Sequence, residues 1–268
     1  MNAVRQLALG MLILMFLASL FAEWLAPAPY ARQFRESPNA PPSRQFPLGS
    51  DELGRDRLSR LLYGSRVSLL LAPAAALLSA LMAALVGGAA GYLGGWWEGA
   101  TLRAIDLFLS LPWLFLLLTV RAMLPLNVSP VASMMITFAI LGLLGWAGPA
   151  RVVRAGVRSL RNSDFVLQAR ACGCPRLRLL VVHVLPNLKP ILHAQFWISI
   201  PVFILAEANL GLLGLGVAEP LPSLGNLLRG LENFPAVRAN PGTLAPVLLL
   251  VLVIGSLQLV FPGEDFSS

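Results

Sequence analysis

The feature that most constrains this chain is a set of six apolar runs, almost free of charge, each about as long as a bilayer is thick. They fall near residues 6–24, 68–92, 104–124, 130–149, 190–212 and 243–261. A hydrocarbon core of about 30 Å needs roughly 20 helical residues, so each run is long enough to cross it. The composition agrees: 57% of the 268 residues are apolar, 12% are charged, and the mean hydropathy is +0.74. No soluble core hides that much apolar surface. None of the runs alternates with period two, as strands of a membrane barrel must. The expected fold class is therefore all-α, a polytopic membrane protein with about six transmembrane helices. Gly87, Gly91, Gly95 and Gly99 recur every four residues, a small-residue ridge suited to close helix packing. The first run exceeds the roughly 7 to 15 apolar residues of a secretory signal and is read as a retained anchor.

The charge is concentrated. Residues 151–189 hold eight of the twenty basic residues and one acid, Asp164, so this stretch carries the whole net charge of +7. A nucleic-acid binder needs a broad basic face, which the balanced remainder of the chain does not supply. Cys172 and Cys174 lie in the same stretch, too close for an unstrained bridge, so no disulfide framework is expected. An even number of spans puts both termini on one side. Basic residues then divide ten against ten between the two sets of connections, and the positive-inside rule does not choose. The cluster at 151–161 directly follows a span, which favours placing that loop in the cytoplasm.

Four connecting stretches carry information. Residues 26–66 open Pro-rich and close on PLGSDELGRDRLSRLLYGSRVSL, where Leu53, Leu58, Leu61 and Leu62 beside alternating charges suit a short amphipathic helix at the interface. Asp51, Glu52 and Asp56 are interleaved with arginines, which makes them a solvated ion-pair face rather than a metal cluster. Arg103 and Asp106, three apart, face one side of the third run as a helix-end anchor; a proton-relay role for Asp106 is the alternative. From Asn162 to Leu192 two short helices are expected, the first capped by Asn162 or Ser163 and stopped by Gly173 and Pro175. Such a basic, partly apolar pair is built either to dock on a partner or to lie on anionic lipid. Cys172, Cys174, His183 and His193 lack the spacing of a zinc site, and no metal is assigned. Gly211, Gly214 and Gly216 follow a membrane helix rather than a strand, which excludes a dinucleotide fingerprint and signals turn or re-entrant structure with Pro220 and Pro222. No phosphate-cradling G-x-x-x-x-G-K-[ST] loop occurs, and no nucleophile-base pair, so no catalytic residue and no cofactor is assigned.

These stretches resemble the inner-membrane permease subunits of bacterial ABC importers in the dipeptide, oligopeptide and nickel class. The first match is LGSDELGRDRLSRLLYGSRVSL, with Asp51, Glu52, Gly54, Arg55 and Asp56. The second is the loop from Phe165 to Asn187, where Ala169, Arg170, Ala171, Gly173 and the His183 to Asn187 run, with Pro186, fall on the signature that contacts the ATPase subunits. The third holds Gly214, Gly216, Pro220, Pro222, Ser223, Gly225 and Asn226; Arg103 and Asp106 with Ser110 and Pro112 add a weaker fourth. Two departures stand out: Leu167 and Gln168 replace the signature's glutamate and first alanine, and the acidic tail is reduced to Gly263-Glu264-Asp265.

The resemblance implies a coupling element of Leu167, Gln168, Ala169, Arg170, Ala171, Gly173, Pro175 and Leu177. It divides the chain into a first span (1–25), a periplasmic segment with the interfacial helix (26–66) and a five-helix permease domain (67–268) with its coupling loop at 151–189. It further implies an inner-membrane protein with both termini cytoplasmic. ATP is bound by two cytoplasmic partner subunits, not by this chain. A second, related permease chain, a periplasmic or lipid-anchored solute-binding protein and membrane lipids complete the partners; nucleic acid is not among them. The expected activity is that of a non-enzymatic permease subunit importing di- or oligopeptides, with nickel or another small solute as the alternative within the class. From other classes, a proton-coupled secondary transporter using Asp106 or Glu207, or an intramembrane enzyme gripping a lipid phosphate, is the rival.

Overall fold

The computed structural model describes residues 3–125, 128–184 and 186–261. Among these residues the regular structure is helical, apart from one isolated bridge between Ser50 and Asp56. Five helical stretches are long and apolar enough to cross a membrane: Ala3–Leu20, Arg57–Leu93, Pro130–Arg161, Val182–Leu212 and Pro241–Val260. A bent pair, Gly95–Ser110 and Trp113–Met123, makes a sixth when counted as one span. The helices that build the bundle are α1 (Ala3–Leu20), α3 (Arg57–Leu93), α6 (Pro130–Leu144), α10 (Lys189–Leu212) and α13 (Ala245–Val260). The shorter α2 (Ala22–Leu25), α4 (Gly95–Ser110), α5 (Trp113–Met123), α7 (Ala147–Arg161), α8 (Asp164–Ala171), α9 (Arg176–Leu179), α11 (Leu224–Leu228) and α12 (Phe234–Ala239) join them.

The third apolar run is not one straight helix. Pro112 has no amide hydrogen and disfavours helical backbone at Leu111, which is extended at φ −82° and ψ 133°. The chain bends by 89° between α4 and α5. The fourth run continues past residue 149 instead, through Trp146 into α7, so the basic stretch begins as helix and the true loop begins at Asn162. One face of α7, carrying Ala150, Val153 and Val157, is buried. It packs on α3 where Gly87 and Gly91 leave no side chain in the way; a Cβ on Gly91 would stand 2.7 Å from the Arg154 carbonyl oxygen. The ridge stops there, for Gly95 and Gly99 face open space.

No separate interfacial helix forms at residues 51–60. The Asp51 carboxylate accepts from the amides of Leu53 and Arg55 at 2.9 and 2.8 Å, which winds this stretch into a turn. Asp56 then caps α3, accepting from the Ser59 amide at 2.7 Å and its hydroxyl at 2.6 Å. The helix runs 37 residues from there, about 55 Å at 1.5 Å per residue.

Two apolar clusters hold the bundle together. The larger joins α3, α6, α10, α11 and α13 around Leu141, Phe203, Ile204, Leu210 and Val253. The smaller sets α7 against Ile105, Val166, Leu179, Val184 and Leu188, so the 162–188 loop is seated on the end of the bundle. The α1 and α13 ends meet where Arg5 Nε donates to the Val260 carbonyl at 3.0 Å.

Candidate functional site

The two informative ends lie at opposite ends of α3. At its C-terminal end, Arg161 Nη1 donates to the Tyr92 carbonyl at 2.9 Å and brings the end of α7 alongside. Beyond it, Ser163 stands at the N-cap of α8, but its hydroxyl donates back to the Leu160 carbonyl at 2.6 Å instead of capping. Asp164 occupies the first turn, where an acid suits the helix dipole. Helix α8 ends in a Schellman turn: the Gly173 amide bonds the Arg170 carbonyl at 3.0 Å, and the Cys174 amide bonds that of Ala169 at 3.1 Å. Gly173 has φ +79°, a conformation that costs an L residue about 1–2 kcal/mol.

The element presents a definite face. Val166 is buried and Ala169 packs against the smaller cluster, while Phe165 and Leu167 are exposed together with Gln168, Arg170, Ala171, Gly173 and Pro175. Leu177 lies in α9, and its side chain falls outside the described residues. Pro186 opens a 3-10 turn to Leu188 ahead of α10, and Asn187 Nδ2 donates to the His183 carbonyl at 2.6 Å. Leu185 and the Gly263-Glu264-Asp265 tail lie outside the described residues. Asp106 does not serve Arg103, which stays exposed; it pairs with Arg151 of α7. Glu98 pairs with Arg154 and, at 3.0 Å, with Arg158. Part of the basic charge is thereby neutralised by α4.

At the other end of α3, the face expected to be solvated is enclosed in part: Arg55, Asp56 and Arg60 are buried and Asp51 half-buried, while Glu52 stays exposed. Arg55 and Arg60 are 8% and 3% exposed, respectively. Arg55 Nε bonds Asp51 at 2.7 Å and its Nη1 bonds Glu219 Oε2 at 2.7 Å; Arg60 Nη2 bonds Glu219 Oε1 at 2.8 Å. Burial alone would raise the Glu219 pKa, but the hydrogen bonds and charge of Arg60 and then Arg55 outweigh it and hold the carboxyl below the ordinary range. The network is buried because a second segment covers it, and the local reading had no sight of that segment. Gly54 lies against the Phe34 carbonyl on the same side.

The covering segment is fixed from α10. Gly214 closes α10 with a second Schellman turn, and Gly216 lies against Gly211. Glu207, weighed as a relay acid, accepts from the Ser68 hydroxyl at 3.1 Å and the Gly225 amide at 3.2 Å. Ser68 also accepts from the Leu224 amide at 3.2 Å, so one carboxyl and one hydroxyl tie α3, α10 and α11 together. Gly225 is required there: a Cβ would stand 2.5 Å from the Glu207 carbonyl oxygen. Arg121 is enclosed in the last turn of α5 and donates to the Ser133 hydroxyl at 3.0 Å. Around the network lies a cavity of about 760 Å³ between residues 48–61, 219–235 and 242–246. Glu219 and Arg121 were not singled out as site residues, because nothing local to either announces a partner 159 or 12 residues away.

The family model of the binding-protein-dependent transport system inner membrane component matches residues 71–262, and that of the N-terminal TM domain of oligopeptide transport permease C matches residues 2–42. The chain is 36% identical to the di/tripeptide transport system permease protein DppC of Pseudomonas aeruginosa, over 96% of this chain and 85% of the relative. It is 32% identical to the dipeptide transport system permease protein DppC of Bacillus subtilis, over 84% and 68%. Identity to the oligopeptide transport system permease protein OppC of Bacillus subtilis is 30%, over 90% and 76%. With a multi-helix membrane bundle and matches running nearly end to end, the chain belongs to the family of binding-protein-dependent transport system inner membrane components.

Proposed function

We propose that the chain is one permease subunit of an ATP-driven, binding-protein-dependent importer of di- and oligopeptides. The observation that carries this is the α8 turn, exposed and stiffly capped at one end of the bundle, opposite a charged cavity at the other. The printed names of the relatives support the peptide substrate. In this reading the 162–188 loop and both termini face the cytoplasm, and the cavity faces outward. Leu167, Gln168, Ala169, Arg170, Ala171, Gly173, Pro175 and Leu177 form the coupling element that docks on an ATPase subunit. ATP is bound and hydrolysed by two such partners; this chain supplies no nucleotide site of its own. A related second permease chain completes the path, and a solute-binding protein delivers the peptide. The Leu167 and Gln168 departures mean that docking relies on the apolar Phe165 and Leu167 face and on Arg170 rather than on a carboxylate.

Uptake of a labelled dipeptide into proteoliposomes tests this. They would hold this chain with its partner permease and ATPases, with binding protein outside and ATP inside. Uptake that requires every component and trapped ATP is expected. Peptide uptake driven by a proton gradient without ATP, or ATP-driven uptake of nickel in place of peptide, would overturn it.

A further inference from the structure

The outward cavity has a specific chemistry. Its volume, about 760 Å³, lies within the roughly 300–1,000 Å³ of small-molecule sites. Four acids (Asp51, Glu52, Glu219, Glu232) and four arginines (Arg55, Arg57, Arg60, Arg229) line it, so the wall is neutral overall. Asp51, Arg55, Arg60 and Glu219 are satisfied by one another. Glu52 accepts from Asn233 Nδ2 at 2.7 Å. What remains for a guest is of both signs. Arg57 spends its Nε on the Ser50 carbonyl at 2.8 Å, and its Nη1 points past Gly230, where a Cβ would stand 4.0 Å away. The side chains of Arg229 and Glu232, three residues apart on one short turn, are exposed and make no hydrogen bond or ion pair with the described residues; the Arg229 guanidinium lies 3.7 Å from where a Cβ on Gly214 would stand. The rest of the lining is apolar, from Leu53, Leu61, Leu227 and Phe234.

A free cation repels a metal ion, a free anion repels phosphate, and a neutral wall concentrates neither. A molecule that carries both charges on a short apolar body satisfies all three features. Building on the importer reading, we infer that this cavity is a binding site of the permease itself for a short zwitterionic peptide. The peptide carboxylate is received by Arg57 and Arg229, its ammonium group by Glu232, and its side chains lie against Leu53 and Phe234. Guanidinium-carboxylate pairing fixes the ends, and the apolar walls accept varied side chains without selecting among them. The site lies between the two segments joined by the Glu219 network, so an arriving peptide touches both at once.

The test uses the assembled transporter in lipid nanodiscs, with no binding protein present, and equilibrium binding of radiolabelled Ala-Phe. Saturable binding is expected, competed by unlabelled dipeptide and not by N-acetyl-Ala-Phe-amide. Arg229→Ala and Glu232→Ala, at residues that make no contacts whose loss would unfold the chain, should each weaken binding about tenfold, the worth of one charge-assisted hydrogen bond. Peptide uptake in the presence of binding protein, with no saturable binding to the wild-type transporter, would overturn the site and leave the importer reading standing. Binding unchanged in both variants would do the same. If the wild type binds no free peptide and both variants weaken capture of the binding protein, the cavity is a protein-docking surface and the inference fails. Saturable, charge-dependent peptide binding without ATP-dependent uptake would instead uphold the site and overturn the importer.

Discussion

Glu219 joins two segments that no local pattern connects. Its carboxylate is half exposed, yet both of its arginine partners are enclosed, so its loss leaves Arg60 with only Asp51 at 3.6 Å and Arg55 with Asp51 alone at 2.7 Å. Glu219→Gln should therefore lower stability by about 1–2 kcal/mol at neutral pH, less than the roughly 3–5 kcal/mol for breaking a fully buried pair. Because its folded pKa lies below the ordinary carboxylate value, this contribution is complete above that value and is lost as pH falls through the depressed one. Melting curves of wild type and Glu219→Gln should converge as pH falls below the ordinary glutamate value of about 4.3; a gap that stays constant with pH would show that the carboxylate charge is not what holds the segment. Gly225 offers a steric counterpart. Gly225→Ala forces a methyl against the Glu207 carbonyl and should cost about 1–3 kcal/mol as an overpacked site, whereas Gly99→Ala, within α4 and with nothing within 4 Å, should leave packing unchanged. The sequence displayed Gly225 within a motif and could not display why it is glycine, since the obstruction comes from a helix eighteen residues earlier.

Elements were legible in proportion to how local their causes are. The apolar runs report burial in lipid, which depends on composition alone, and five of the six appear as single long helices. The third breaks because one proline overrides a hydropathy that would otherwise sustain it. The turn ending α8 was visible as Gly173 followed by Pro175, and the two Schellman bonds make it rigid. Nothing stands within 4 Å of a Cβ on Gly173, so within this chain glycine is needed there for its positive φ alone. The proposed coupling role separates these causes. Gly173→Asn tolerates the left-handed conformation and should keep both fold and transport, while Gly173→Trp should insert normally, keep its expression level and uncouple ATP hydrolysis from uptake. Ser43→Trp, at the other end of the bundle, should leave coupling intact. Loss of coupling in Gly173→Asn as well would mean the partner's backbone comes within a side chain's width. Normal transport by Gly173→Trp in an assembled complex would mean the loop lies on lipid.

On the scale of the whole molecule, charge counting gave a tie, ten basic residues against ten. The structure explains why the count was uninformative: several of those arginines belong to internal pairs. Arg55 and Arg60 are bound to Glu219 and Asp51, Arg151 to Asp106, Arg154 to Glu98, and Arg121 is enclosed within the bundle. The rule acts through basic residues that stay free to meet the membrane surface, and these remain on both sides: Arg170 and Arg178 by the 162–188 loop, Arg32, Arg35, Arg44, Arg229 and Arg238 on the cavity side. The cavity and the α8 turn lie at opposite ends of a helix about 55 Å long, too far apart to share one face of a bilayer. One orientation measurement therefore fixes both. With Cys172 and Cys174 replaced by serine, single cysteines at Ser43 and at Ser159, both exposed, report the two ends. An impermeant maleimide applied to intact spheroplasts should label the first and not the second, and permeabilisation should expose the second. Labelling of Ser159→Cys from outside would turn the molecule over, placing the charged cavity in the cytoplasm and removing the α8 turn from reach of any ATPase.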